Sequence, residues 1–337
     1  GKKMVSQVHG GGEVGGLPDV RAEPGGYKKV SPGISSFEPN PEAAGGMERL
    51  RAAGIEVDLI EHEPSRNLLG PFLVGQTERR PWVLAKWAQT LDGHLATRTG
   101  HSQWISSERS RNMVHRERGR VDAVLTGIGT VLADDPRLTA RTGRRRRVAR
   151  RIVIDPRLRL PDGARLLQTL QEAPLTVACL DSTSSERRDE LRQQGVDILT
   201  VPERDGRLDV RQLLESLHKK HDIMTVLVEA GPGVLSSLAE AECIDGAAVF
   251  IAPTLLGDPQ AIPALRRTIP ETIADGLKLN VRHVHRRGDD IPRGLRGPRS
   301  RRRATSNAAR RCEASAARAR RRASRRCSTS WPRATLS

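Results

Sequence analysis

Three stretches of the sequence combine glycines with charged and hydroxyl side chains in ways that suit phosphate chemistry. In the first, VLVEAGPGVLSSL at 226–238, an apolar run ends in Glu229, and a Gly-Pro-Gly turn precedes a helix expected to start near Val234. Backbone N–H groups at such a turn lie at the positive end of a helix dipole, where anions bind. The spacing is not G-x-G-x-x-G, so the turn predicts either a dinucleotide phosphate site or simple packing of a strand on a helix.

The second stretch is VLTGIGTVLADDPRLTAR at 124–141. It predicts a strand ending at Thr126, a tight turn containing two glycines and Thr130, and an irregular segment beginning at Asp134 and Asp135. Two carboxylates at the carboxyl end of a strand either bind ribose hydroxyls or cap a helix. The residues leave both readings open.

The third stretch is the helix expected after Ser106. Arg111, His115 and Arg118 follow one another at i, i+4 and i+7, so they share one face. Together with Arg141 they predict either a phosphate site built on bidentate pairing or an ordinary solvated face. His115 has no partner at metal-ligand spacing, and the sequence has no H-E-x-x-H motif or Cys/His cluster, so we expect no metal site.

The strong positive charge is concentrated at one end of the chain. The net charge is +17, and residues 291–337 contribute +14 of it, with fifteen arginines against Glu313. This segment is almost without apolar residues and has no period. It is typical of a nucleic-acid-binding arm, a disordered solvated tail or a shifted reading frame in an Arg-rich coding region. Its poverty in base-stacking aromatics disfavours the nucleic-acid interpretation.

Composition restricts the class of protein further. Aromatic residues make up 2% of the chain, which predicts a core of Val, Ile, Leu and Ala. No apolar run approaches the ~18–20 residues that span a bilayer, and the first residues lack the apolar region of a signal peptide. The four scattered cysteines form no C-x-x-C pair, which favours a reducing compartment, so we expect a cytoplasmic protein.

From Arg80 onward the sequence alternates between apolar runs and helical patterns. Strands that are apolar on both faces, with helices between them, imply parallel crossovers. The fold class predicted is α/β, a mostly parallel open sheet with flanking helices. The strands are expected at 81–87, 121–127, 151–155, 175–180, 196–201, 223–230 and 247–253, and the helices at 107–119, 184–194, 209–220 and 234–242.

Four segments are predicted along the chain. Residues 1–35 are rich in Gly and Pro and are expected to be disordered. Residues 36–78 contain MERLRAAGIEV, which predicts a helix ending at Gly54 and a short strand over Ile55–Ile60. A globular domain is expected over 79–290, and residues 291–337 form the Arg-rich tail, expected to be disordered.

The motifs together resemble the reductase domain of the bifunctional riboflavin-biosynthesis deaminase–reductase. The resemblance rests on KWAQTLDGHLATRTGHSQWISSERSR (86–111), the 121–141 stretch, RIVID, VLVEAGPGVL and FIAPTLLGD, in order from about Arg80 to Arg287. It implies a dihydrofolate-reductase-like fold and NADPH as cofactor. It also implies reduction of 5-amino-6-(5-phosphoribosylamino)uracil to its ribitylamino phosphate, with the cofactor supplying the hydride and no catalytic side chain required.

The resemblance also implies roles for individual residues. Lys86 and Asp92 are further candidates for polar substrate contacts or structural roles. The implied substrate-binding residues are Ser102, Arg118, Leu138, Arg141 and Glu229. The implied cofactor-binding residues are Ala88, Trp104, Thr130, Asp134, Gly231, Pro232, Gly233, Val234, Leu235, Ser236 and Ser237.

The segment before the domain resembles the end of the family's zinc deaminase domain. That likeness is carried by EPNPEAAGGMERLRAAGIEV (38–57) and NLLGPFL (67–73), but the H-x-E and P-C-x-x-C ligands of the zinc site are absent.

Three alternatives to this interpretation of the chain's function stay open. They are a bifunctional enzyme whose deaminase half is missing here, a nucleic-acid binder acting through the tail, and a reductase of pterins. We expect a small-molecule partner and no membrane partner. The oligomeric state, a homo-oligomer included, stays open.

Overall fold

A computed structural model of the chain describes residues 29–30, 49, 51–54, 56–57, 68–103, 105, 107–141, 147–266, 271–285 and 291–296. Nine of the described strands form one sheet in the order β14-β15-β12-β3-β11-β5-β6-β7-β8. The seven strands from β12 to β8 pair in parallel, and β15 and β14 add an antiparallel edge. The strands are β3 (Trp82–Gln89), β5 (Ala123–Gly127), β6 (Arg150–Ile154), β7 (Leu175–Leu180), β8 (Asp197–Val201), β11 (Thr225–Val228), β12 (Gly246–Ile251), β14 (Asn280–Val284) and β15 (Ile291–Arg296).

Helices join most of the parallel strands. They are α1 (Gly70–Glu78), α2 (Glu108–Arg118), α3 (Ile128–Asp134), α4 (Arg165–Gln168), α5 (Ser185–Gln193), α6 (Val210–His221) and α7 (Pro232–Glu240), with a 3₁₀ turn at Ile273–Asp275. Short strand pairs lie outside the main sheet: β1 (Lys29–Val30) with β2 (Glu56–Val57), β4 (His94–Ala96) with β13 (Ile262–Pro263), and β9 (Glu203–Arg204) with β10 (Arg207–Leu208). None of the helices in these described stretches is long and apolar enough to cross a membrane.

The sheet has an apolar core on each face, as expected of parallel strands buried on both sides. One core contains Leu213 and Leu217 of α6 and Leu238 of α7, packed on the strands. The other contains Val131 of α3 and Leu191 of α5. With helices on both faces, the carboxyl ends of β3, β11 and β5 lie side by side at one edge. Residues that follow these strands therefore meet there.

A buried ion pair fixes the opposite, amino edge of the sheet. Arg80 is 1% exposed, and its guanidinium donates to both oxygens of Asp245 at 2.7 and 2.9 Å. Asp245 also accepts the N–H of Val83, and Arg80 pairs with Glu78 of α1. Coulombic attraction and hydrogen bonding to Asp245 outweigh desolvation and raise the pKa of Arg80. The pair thus joins α1 to the first residues of β3 and β12.

The predicted fold class and all seven predicted strands are confirmed, with ends that differ by up to a few residues. The four predicted helices are also present as α2, α5, α6 and α7. In the N-terminal segment, Arg51 and Ala52 are helical and Gly54 has φ +76°, as the helix ending at Gly54 requires. Glu56–Val57 forms a strand, while Ile55 and the residues at 58–60 lie outside the described residues.

Two expectations about where helices form and begin are corrected. The tight turn expected around Thr130 is the helix α3, because Gly127 in extended conformation starts it and burial of Ile128 and Val131 offsets the helix cost of Gly129. The helix expected near Val234 starts at Pro232, whose fixed φ suits a first helical position.

Two segments expected to be disordered contain paired strands. Lys29–Val30 pairs with Glu56–Val57, and Ile291–Arg296 pairs with β12 and β14. Main-chain hydrogen bonds form these ladders whatever the side chains, so composition alone did not reveal them. The remainder of the Arg-rich tail lies outside the described residues.

Candidate active site

Glu229 directly follows β11 and is fixed by the neighbouring strand β5. Its N–H donates to the carbonyl oxygen of Leu125 at 2.8 Å. The hydroxyl of Thr126, itself fully buried, donates to the carbonyl oxygen of Glu229 at 2.7 Å. These two bonds extend the pairing of β11 and β5 beyond the end of the strand. The carboxylate is therefore held by the sheet rather than by a mobile loop.

Arg118, the last residue of α2, binds that carboxylate with both arms of its guanidinium. Its Nε donates to Oε1 at 2.6 Å and its Nη2 to Oε2 at 2.9 Å. The remaining Nη1 donates to the carbonyl oxygen of Thr139 at 3.2 Å. Both side chains are 12% exposed, so the pair is shielded from water on most sides. Fork-to-fork pairing of this kind fixes direction as well as charge.

Lys86 of β3 adds a second positive charge beside the pair. Burial is the largest effect on its pKa and lowers it, opposed by Glu229 and assisted by the positive charge of Arg118. Burial alone would raise the pKa of Glu229, but Arg118 and then Lys86 hold it below its usual range. Glu229 is thus an anion at neutral pH. The ammonium of Lys86 lies 5.5 Å from the ring centre of Phe250, within cation–π range.

Arg141 and His115 meet at the outer side of this cluster. Arg141 Nη2 lies 3.4 Å from His115 Nε2. Burial, Arg118 and Arg141 all lower the pKa of His115, so the ring is neutral at neutral pH. The helix face predicted from i, i+4 and i+7 spacing therefore brings His115, Arg118 and Arg141 into one neighbourhood. Arg118 is hydrogen-bonded to Glu229 and to the carbonyl of Thr139, and its expected contact with the substrate phosphate, shared with Arg141, stays a prediction.

The segment that follows α3 carries an unusual backbone conformation. Leu138 is 3% exposed and has φ +56°, a region that a non-glycine residue rarely adopts. Beside it, the buried hydroxyl of Thr139 has no hydrogen-bond partner within the described residues. Such strain is concentrated at functional sites, where surrounding structure holds it in place. Leu138 thereby lies next to the carbonyl that Arg118 contacts.

Two helices begin at this edge without side-chain caps. Gly127 precedes α3 and Gly231 precedes α7, and neither supplies a capping hydrogen bond. A Cβ on Gly127 would lie 2.8 Å from Cγ2 of Val234, so the two helix starts are in close contact. Space around Gly129, Gly231 and Gly233 is open, with nothing within 4 Å of an added Cβ. The backbone N–H groups of Gly233 and Val234 are at the positive end of α7, where an anion is favoured.

The predicted cofactor-binding residues at 231–237 form two groups, one facing open space and one buried. Gly231, Pro232, Gly233 and Val234 form the helix start described above. Leu235 is 1% exposed, and the fully buried Ser236 accepts the N–H of Arg266. Ser237 donates to the carbonyl of Gly233 at 3.1 Å and accepts from Arg207. The side chains of Leu235 and Ser236 thus serve packing, and only the helix start faces open space.

The other predicted cofactor residues lie around the same edge. Thr130 is in the first turn of α3 and Ala88 is near the carboxyl end of β3. Asp134 is exposed at the end of α3 and accepts from Gln103 at 3.3 Å, linking α3 to the loop that carries Ser102. Trp104 lies outside the described residues.

Two carboxylates considered from sequence have structural partners. Asp135 accepts the N–H of Arg165 at the start of α4, which is the helix-capping alternative. Asp92 accepts from the hydroxyl of Thr90 and from the N–H groups of Leu256 and Gly257.

The sequence did not indicate that Thr126 and Gly127 position the site, because their roles depend on contacts across the sheet. Within the described ranges no cluster of three or more His, Cys, Asp or Glu residues is arranged to hold a metal.

An open, mostly parallel sheet with this charged cluster and two uncapped helix starts at its carboxyl edge defines a reductase of dihydrofolate-reductase-like fold. The family described as the RibD C-terminal domain matches residues 81–292. The chain belongs to this family, whose relatives are enzymes of riboflavin biosynthesis.

Three relatives show the extent of the likeness. The riboflavin biosynthesis protein RibD of Aquifex aeolicus is 38% identical over 268 residues, covering 79% of this chain and 72% of that protein. The 2,5-diamino-6-ribosylamino-4(3H)-pyrimidinone 5′-phosphate reductase of Methanothermobacter thermautotrophicus is 34% identical over 219 residues, 63% of this chain and 96% of that protein. The solved structure of Acinetobacter baumannii RibD (form 2) superposes with a TM-score of 0.65 at 32% identity, covering 80% of this chain and 73% of that one.

Proposed function

We propose that this protein reduces 5-amino-6-(5-phosphoribosylamino)uracil to the ribitylamino phosphate, using NADPH. The observation that carries the proposal is the Arg118–Glu229 pair with Lys86 beside it, next to two open helix starts, within a domain of the RibD C-terminal family. The relative from Methanothermobacter supports the same reaction class, because 96% of it corresponds to part of this chain. The reductase half therefore occurs there without a long additional domain.

The substrate would lie over the carboxyl ends of β3 and β11. The buried Glu229 carboxylate and Lys86 ammonium present opposite charges to a polar pyrimidine edge. Arg141 offers the phosphate a guanidinium whose only described hydrogen-bond partner is the neutral His115. We assign Ser102 to a sugar hydroxyl and Leu138 to a backbone contact with the ribosyl phosphate. Arg118 acts chiefly by orienting Glu229.

The residues at the two helix starts fit a dinucleotide. The open space at Gly129, Gly231 and Gly233 is a cradle that side chains would fill, and the uncapped N–H groups suit a pyrophosphate. Thr130, Asp134 and Ala88 line the same edge, and the 231–237 segment contributes the first turn of α7 to it. When bound there, reduced nicotinamide supplies the two electrons and the hydrogen that the substrate carbon must gain.

The protein's part in the reaction is positioning and electrostatics. Reduction requires the ribosylamine ring to open, and the resulting C=N carbon must lie close to the cofactor. The fixed carboxylate of Glu229 stabilises positive charge on the nitrogen of that C=N group, in a setting with limited water. Holding both reactants in one orientation accelerates the reaction, so no covalent nucleophile is required.

The proposal is tested by following the loss of NADPH absorbance with the phosphoribosylamino-pyrimidine. We expect turnover with this compound and none with the corresponding compound lacking the 5′-phosphate at equal concentration. Chromatography of the product should give the ribitylamino phosphate. No oxidation of NADPH or NADH with the phosphorylated compound would contradict the proposal.

A further inference from the structure

The imidazole of His115 lies beside two arginines at the outer side of the candidate active site. It belongs to the last turn of α2, one turn before Arg118, which binds Glu229. Its Nε2 lies 3.4 Å from Nη2 of Arg141. An arginine has hydrogen-bond donors but no acceptor, so this contact is a hydrogen bond only when Nε2 carries no proton. The neutral ring therefore accepts from Arg141.

Arg141 itself lies in a positively charged neighbourhood. Burial is the largest effect on the pKa of its guanidinium and lowers it. The positive charges of Arg118, Arg137 and Arg165 lower that pKa further. Glu172 acts in the opposite direction, but its carboxylate also pairs with Arg137 at 3.6 Å. An excess of guanidinium groups of this kind favours the binding of an anion, and a dianion more than a monoanion.

Opposing effects act on the proton affinity of the His115 ring. Burial, and then the positive charges of Arg118 and Arg141, lower its pKa. The backbone of Thr139 and the carboxylate of Glu229 act in the opposite direction. The carboxyl end of α2 also favours a protonated ring, because the helix dipole is negative there. Repulsion by the two guanidinium groups is the one of these effects that a bound anion can cancel.

We propose that His115 takes up a proton from solvent when the 5′-phosphate of the substrate binds Arg141, and that its Nε2–H then donates to a phosphate oxygen. The inference rests on the proposed function, since it takes the phosphate to lie at Arg141. Two negative charges beside the ring offset the repulsion by both arginines, so Nε2 changes from an acceptor into a charged donor. The proton returns to solvent when the product leaves. His115 thereby makes the site selective for a dianionic phosphate.

The test measures proton uptake when the full chain binds ribose 5-phosphate, which has the sugar and the phosphate of the proposed substrate. Calorimetry in buffers of different ionisation enthalpy gives the number of protons exchanged. At about pH 7.5 a phosphate monoester, whose second pKa is about 6, is already a dianion, so a proton gained on binding goes to the protein.

The variant to compare is His115→Gln, because glutamine keeps an acceptor for Arg141 but cannot be protonated. The matched control is His221→Gln. His221 also lies in the last turn of its helix, α6, and has a lowered pKa, but it pairs with Asp197 at the amino edge of the sheet.

We expect the unchanged chain and the His221→Gln control to take up a fraction of one proton on binding ribose 5-phosphate, and His115→Gln to take up much less. Near neutral pH the His115 variant should bind on the order of tenfold more weakly, because a charged hydrogen bond is lost. The affinity of the unchanged chain should fall toward that of the variant as the pH rises and the bound ring loses its proton. Titration of Lys86 or Glu229 is common to both proteins, so the difference between them reports on His115.

Binding without proton uptake by the unchanged chain, or equal uptake by His115→Gln, would overturn the inference and leave the reductase intact. If His115→Gln does not fold, the nitrogen chemical shifts of the His115 ring decide the question in the unchanged chain. Protonation on addition of ribose 5-phosphate supports the inference, and unchanged shifts contradict it. Failure of ribose 5-phosphate to bind would count against the inference where the complete substrate is turned over, and against the proposed function where it is not.

Discussion

At the scale of single residues, the charge of the site depends on one ion pair between separate elements. Arg118 ends α2, and Glu229 follows β11, 111 residues later. Both are largely shielded from water, so removal of the Glu229 charge leaves Arg118 without its counter-ion, and removal of the Arg118 charge leaves Glu229 with Lys86 alone. The pair therefore serves stability and the electrostatics of the substrate site together.

Glu229→Gln keeps the size of the side chain and removes its charge. We expect kcat/KM for the phosphorylated substrate to fall by roughly 10- to 100-fold, since a charge-assisted interaction is worth about 1.5–3 kcal/mol. The free energy of unfolding in urea should fall as well, because Arg118 loses its anion. Glu240→Gln, at a more exposed pair with Arg207, is the control and should change neither quantity appreciably. Full activity of the Glu229 variant would refute the role given to that carboxylate.

Arg141→Ala addresses the phosphate of the substrate. The expected outcome is a loss of about 10- to 100-fold in kcat/KM for the phosphorylated compound, with the affinity for NADPH nearly unchanged. Fluorescence titration with NADPH measures the second quantity. A loss of NADPH affinity instead would assign Arg141 to the cofactor. Arg118→Ala is less informative, since it also releases Glu229.

At the scale of elements, the close contact of the α3 and α7 helix starts is the feature that shapes the cofactor edge. Gly127 has no side chain, and this allows Val234 to pack directly on the backbone where α3 begins. Each helix start is uncapped and next to a glycine with open space around it. The geometry of the anion site thus depends on packing between two elements.

Gly127→Ala should separate the two helix starts, because the added Cβ would lie 2.8 Å from Val234. Overpacking of this kind costs roughly 1–3 kcal/mol of stability, and we expect KM for NADPH to rise by several-fold. Gly163→Ala is the control, since its Cβ would meet nothing within 4 Å. Val234→Ala in the Gly127→Ala background should restore part of the loss. Without that rescue, the effect of Gly127→Ala would have to come from its backbone rather than from the contact.

The elements that were predicted from sequence are those whose signal is local. Apolar runs such as 175–180 show that a strand is buried on both faces, and the intervening polar helices show that the sheet is parallel. The helix α3 was read as a turn because two glycines weaken its pattern, while the burial that stabilises it comes from the rest of the core. The residues of the site were named mainly through family likeness. The Arg118–Glu229 ion pair was not predicted, because it joins residues 111 positions apart in the chain, and the expected contact of Arg118 with phosphate stays a prediction.

At the scale of the whole molecule, the domain extends past the boundary expected from composition. Ile291–Arg296 pairs with β12 and β14, and the family match continues to residue 292. The expected division at residue 290 separates β15 from the sheet that contains it. The predictions for residues 1–35, for residues 36–78 and for the rest of the 291–337 tail stay hypotheses.

Two shortened chains test that boundary. A chain ending at Pro298 should retain the melting temperature and turnover of the full chain, because the removed arginines have little apolar surface to bury. A chain ending at Asp290 loses β15 and leaves the facing edges of β12 and β14 unpaired, so its melting temperature should fall by several degrees. Equal stability of the two shortened chains would mean that β15 contributes nothing. A large loss on ending at Pro298 would mean that the arginine-rich segment packs on the domain.

The most direct test of the central claim is the transfer of deuterium from cofactor to substrate. NADPH deuterated at both C4 positions is mixed with the chain and the phosphoribosylamino-pyrimidine, and the product is analysed by mass spectrometry. The account predicts one deuterium in the ribitylamino phosphate, located at the carbon bonded to the amino nitrogen. A product without deuterium, or no conversion while the protein remains folded, would contradict it.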